Sequence, residues 1–148
     1  MTVRAFRFRH VWQTPAPPAE VYAVLADVAS YPLWWPQVLA VARIDDRSGW
    51  AVCRSLVPFR LNLRLTAERE DPAAGVLRVQ LDGDLAGWCE FRLNVAGSGT
   101  SVEFQQQVTV ERASLRRATV LMGPGLRANH AWMMRGCRNG LDRHLATA

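Results

Sequence analysis

The 148-residue sequence predicts an α+β chain in which seven antiparallel strands present one apolar face to a long C-terminal helix. Three observations carry that prediction. Residues 59 to 110 alternate apolar and polar side chains, as strands with one buried face do. Turn-forming clusters such as EDPAAG and AGSGT interrupt the alternation at hairpin spacing. After residue 113 the period changes, and Leu126, His130, Met133, Met134, Cys137, Leu141 and Leu145 fall on one broad arc of a helical wheel.

The elements follow in order. Phe6, Phe8, His10 and Trp12 alternate with Arg7, Arg9 and Val11 in a first strand, which the prolines of TPAPP end. Val21, Val24, Leu25 and Val28 recur at helical spacing from Ala19 to Val28, with Pro18 suited to a first turn. Tyr31 must leave that helix, because a residue before proline is pushed out of the α region, so Leu33 to Pro36 forms at most a further short helical turn. Strands are expected over Val38–Ile44, Trp50–Val57, Phe59–Thr66, Leu77–Asp82, Cys89–Val95 and Val102–Val110, with a turn across the DGDLAG stretch. Gly123-Pro124-Gly125 should kink or break the tail helix. Gly136 and Gly140 edge its apolar arc; each costs up to about 1 kcal/mol relative to alanine, so the helix is expected to press its backbone on another element there.

Composition narrows the function classes. Hydrophobic residues at 49% and charged residues at 21% suit one globular domain over residues 1–148 and argue against disorder. Cys53, Cys89 and Cys137 are odd in number and far apart, which fits reduced, buried thiols. The opening MTVRAFRFRHVW has no signal-peptide core, and no stretch reaches the roughly 18 apolar residues of a membrane span, so the expected location is cytoplasmic. A net charge of +5 comes from scattered arginines without a block of like charge, which reads as a solvated exterior and argues against nucleic acid as the main partner.

The element order resembles the START/Bet v 1-like (SRPBCC) superfamily. "APPAEVYAVLADVASYPLWWPQV" looks like its opening strand-to-helix segment, "GDLAG" its mid-sheet turn, "SGTSVEF" the start of its last strand and "LRANHAWMMRGCRNGLDRHL" its closing helix. The branch it is most similar to is the bacterial polyketide cyclase/dehydrase-like group. The resemblance implies a helix-grip fold: a curved seven-stranded antiparallel sheet wrapped around the C-terminal helix, two short helices between strands 1 and 2, and a cavity for a hydrophobic or aromatic ligand. It implies no particular reaction.

Within that frame the candidate cavity residues are His10, Trp12, Trp35, Gln106, His130, Met134 and Cys137. His10 sits in phase with Phe8 and Trp12, as a satisfied core histidine, a ligand contact or a catalyst. Asn129 and His130 either approach the pocket or tie the helix to a strand carbonyl. Gln106 offers an inward amide for a ligand, for His10 or for a water. Ser55 and Cys53 share an inward phase, and Met133 and Met134 are core filler or pocket wall. His130 and Cys137 lie about 10.5 Å apart along the helix axis, too far for a thiolate–imidazole pair. No catalytic set is assigned.

Metal ligation is unsupported, because His10, His130 and His144 show no ligand spacing, and no cofactor motif is present. Trp34 and Trp35 are expected to divide their work, one ring packed under the turn and the other, Trp35 by preference, near the cavity mouth or solvent. Three functions stay open: carriage of a hydrophobic small molecule, polyketide aromatase/cyclase-like catalysis, and docking on RNA, a ribosome or anionic lipid. The assembly is expected to be a monomer or homodimer.

Overall fold

A computed structural model describes residues 5–55, 60–111 and 123–147. The elements are β1 (Ala5–Thr14), α1 (Pro18–Ala26), a 3₁₀ helix (Val28–Leu33), β2 (Val38–Arg43), β3 (Ser48–Arg54), β4 (Arg60–Asp71), β5 (Val76–Gly83), β6 (Leu85–Ala96), β7 (Gly99–Val110) and α2 (Gly123–Ala146). The expected strand ends at Val57 and Phe59, and the tail before residue 123, lie outside the described residues. Pro124 and Gly125 fall in the first turn of α2, where proline's missing N–H would have had no helical partner.

All seven strands form one antiparallel sheet in the order β1-β7-β6-β5-β4-β3-β2. The hairpin succession therefore holds from β2 to β7. β1 pairs with β7 instead of β2, because α1 and the 3₁₀ helix carry the chain across the sheet to its far edge. The register stacks side chains into rows. Phe8, Gln106, Cys89 and Val79 make one, and His10, Phe104, Phe91 and Leu77 the next. The curved sheet wraps α2, whose Met134, Cys137 and Leu141 are buried against it.

One expected turn is shorter than its composition suggests. β6 begins at Leu85, four residues before Cys89, because Leu85, Ala86 and Gly87 pair with Val110, Thr109 and Val108 of β7. Long-range pairing outweighs the turn preference of DGDLAG. Gly87 carries that stretch at a φ of 150°, where a Cβ would overlap the Gln107 carbonyl.

The two tryptophans depart from the expected division. Trp34 and Trp35 are 6% and 7% exposed, and their rings stack at 5.7 Å; the residue left in water is Leu33, at 79%. Both rings are covered because the turn is packed on two sides. Amides of Trp34 and Trp35 donate to the Tyr31 carbonyl (3.1 and 2.8 Å), Arg54 N–H ties the Gln37 carbonyl to β3 (2.7 Å), and α2 closes over the other side.

That closure explains the glycines. A Cβ on Gly140 would overlap the Trp34 carbonyl oxygen, and one on Gly136 would overlap the Gln37 side-chain amide. The helix backbone thus rests on the turn, as the glycine spacing suggests. Gly140→Ala separates the two opposing effects. Helix propensity alone would stabilise the variant by up to about 1 kcal/mol, whereas overpacking against a backbone carbonyl predicts a loss of about 1–3 kcal/mol. Urea denaturation should show the loss, with exposed Asn139→Ala shifting stability by less than about 0.5 kcal/mol.

Candidate functional site

Between the concave sheet face, α2 and the Tyr31–Trp35 turn lies a cavity of about 180 Å³. All seven strands contribute wall residues, nearly all of them apolar, among them Phe6, Leu63, Val79, Leu81, Phe91 and Val108. The polar side chains are Ser55, Gln106, Asn129 and His130. Ser55 Oγ donates to Asn129 Oδ1 (3.2 Å), so the end of β3 meets the second turn of α2.

Gln106 and His130 belong to a longer chain of bonds. His130 Nε2 lies 2.8 Å from Gln106 Oε1, and His130 Nδ1 lies 3.1 Å from His10 Nε2. An amide oxygen only accepts, so His130 carries its proton on Nε2, its Nδ1 accepts, and His10 donates from Nε2. The order is His10 to His130 to Gln106. The His130 ring stacks on Phe8 with centroids 3.8 Å apart and planes 10° from parallel, and Phe104 lies 5.8 Å away. Packing thus fixes the ring plane while the two bonds fix its rotation.

Burial governs the protonation of this chain. It lowers the His130 pKa to about 3, with the neighbouring His10 as a second, smaller cause, and it lowers His10 as well. At neutral pH His130 is therefore an uncharged donor, poorly matched to general-base work near pH 7. The thiols are equally quiet. Burial pushes Cys53 and Cys89, both on the cavity wall, up to about 12, and it raises Cys137 well above the ordinary range.

Of the residues singled out from sequence, Trp35, Gln106, His130 and Met134 line the cavity; His10, Trp12 and Cys137 do not. His10 stands one row behind the wall, reaching the site through His130. Trp12 is one row further along β1, opposite Val102, and Cys137 is fully buried a turn beyond Met134. His130 bonds two strand side chains, where a strand carbonyl had been the alternative. Trp35 donates from Nε1 to the Met133 carbonyl (3.0 Å), which pins the ring at the wall. Cys89 and Tyr31 also line the cavity, though the sequence marked neither as a cavity residue; strand pairing with Gln106 would have found Cys89, and nothing local points to Tyr31. Among the described residues no three His, Cys, Asp or Glu side chains cluster to hold a metal.

Residues 14–143 match the family described as polyketide cyclase/dehydrase and lipid transport. The chain belongs to that family. No curated protein sequence matches it. Solved structures share its fold across nearly the whole length. TTHA0849 from Thermus thermophilus is 17% identical over 96% of this chain and 98% of its own, with a TM-score of 0.82. The Zhui aromatase/cyclase from a Streptomyces species is 15% identical over 97% and 94%, at 0.80. A START superfamily protein from Mycobacterium smegmatis is 14% identical over 95% and 97%, at 0.74. At such identities the likeness shows the fold, and this family member's chemistry has to be read from its own cavity.

Both imidazoles have lowered pKa values, so the unfolded chain takes up protons near pH 6.5 that the folded chain refuses. Stability is complete above that pH and drains as pH falls toward about 3. For His130 the loss reaches the order of 5 kcal/mol across the whole window. Urea midpoints measured from pH 7.5 to 4 should fall steeply in the wild type and less steeply in His130→Phe.

Proposed function

We propose that this protein binds and carries a hydrophobic, ring-bearing small molecule in the cavity between sheet and helix. The observation that carries the reading is an apolar void of about 180 Å³ with its few polar side chains gathered where α2 meets β3 and β7. Voids of about 150 Å³ lined by Leu, Ile and Phe stay dry and accept a benzene-sized ring. One ring, or two fused rings after small side-chain movements, is the matching cargo.

Aromatase/cyclase-like catalysis is supported less well, although the family includes the description cyclase/dehydrase. A long poly-β-ketone exceeds this void, and His130 is too weak a base near neutral pH. Docking on nucleic acid is weaker still, since Arg9, Arg43, Arg69, Arg78 and Arg92 each pair with a carboxylate. The three free thiols suit action in a reducing cytoplasm.

Titration calorimetry with naphthalene tests the carrier reading. The wild type should bind it in one-to-one ratio. Val79→Phe, which adds a ring to the middle of the cavity wall, should weaken binding at least tenfold while keeping the wild-type fold by circular dichroism. Unchanged affinity in Val79→Phe would place the ligand elsewhere and sink the reading.

A further inference from the structure

We propose that the His10–His130–Gln106 chain is a specificity device that presents the cavity with a hydrogen-bond donor and so selects ring ligands bearing a carbonyl oxygen. The proposal rests on the cavity being the binding site. It follows from the direction of the bonds. Gln106 Oε1 is occupied by His130 Nε2–H, and among the described residues the Gln106 amide nitrogen has no hydrogen-bond partner. Gln106 is half-buried and lines the cavity, so its NH₂ turns away from His130 toward that space. A donor that faces an apolar cavity without a protein acceptor is one that a ligand oxygen would satisfy.

The alternative, in which the amide flips and shows its oxygen to the ligand, is disfavoured by His10. With the flip, His130 Nε2 would accept from Gln106, Nδ1 would carry the proton, and His10 Nε2 would have to accept it. Only a neutral His10 can do so. In the observed direction His10 donates from Nε2 whether its ring is neutral or charged. The observed direction tolerates either charge state of His10, whereas the flipped one tolerates only the neutral ring. His10 thus acts as a positioning residue two bonds from the ligand, and polarisation along the chain strengthens the last donor.

The phenomenon has a diagnostic sign. In an apolar cavity without a donor, a ketone gives up its hydration for nothing, so a hydrocarbon of the same shape binds more tightly. Calorimetry with tetralin and 1-tetralone reads the difference. The wild type should prefer the ketone by about tenfold, the worth of one hydrogen bond to a donor otherwise left bare. Gln106→Met, of similar volume, should reverse the preference while still binding tetralin, and the infrared carbonyl stretch of bound 1-tetralone should lose its downward shift. His10→Phe should shrink the preference to threefold or less, and His10→Gln, which keeps an N–H donor, should restore it. Tighter binding of tetralin by the wild type, or a ketone preference that survives Gln106→Met, would overturn the donor assignment and leave the cavity reading intact. Failure of both compounds to bind would overturn the two together.

Discussion

The rest of the molecule depends on the contact between the α2 backbone and the Trp34–Gln37 turn. Without side chains at Gly136 and Gly140, helix and turn approach until the Trp34 carbonyl and the Gln37 amide lie where Cβ atoms would be. Two further bonds are possible only at that range: Gln37 Nε2 donates to the Trp132 carbonyl (3.2 Å) and Trp35 Nε1 to the Met133 carbonyl. The same contact sets the depth of α2 over the sheet. Cavity thickness is therefore set in part by two glycines that do not themselves line the cavity.

Polarity is distributed along α2 as well. Asn129 and His130, in its second turn, face Ser55, Gln106 and His10; further along, Met134, Cys137 and Leu141 face hydrocarbon. Of these, Asn129, His130 and Met134 line the cavity, so the helix offers that space a polar stretch followed by an apolar one. Holding the polar end inside the fold is costly unless its groups are paired, and His130, with both ring nitrogens bonded and its face on Phe8, satisfies that requirement completely.

Much of this architecture could be read before the coordinates. The alternation in β1 and β4, the hairpin spacing and the glycine pair in α2 all reflect local rules, and the structure follows them. What local rules could not supply was anything that depends on pairing across the chain. β1 joins β7, about a hundred residues away, and that choice aligns Phe8 with Gln106 and His10 with Phe104. The start of β6 at Leu85 likewise depends on β7. The burial of both Trp34 and Trp35 escaped a turn-based argument because the turn is packed from two sides and leaves Leu33 and Pro36, not a tryptophan, exposed. For the site, the types of residue were legible from strand and helix phase. The bond between His10 and His130, 120 residues apart in sequence, needed the fold.

The thiols on the cavity wall lead to a different kind of conclusion. With pKa values of about 12, Cys53 and Cys89 are ionised in roughly one molecule in 10⁵ at pH 7. A thiolate is the form that attacks electrophilic carbon, and here it is almost absent. A reactive carbonyl compound held in this space would meet these two sulfurs almost only as S–H, and among the described lining residues no carboxylate or amine stands ready to remove the proton. For the proposed carrier, these wall thiols would add no nucleophile of their own.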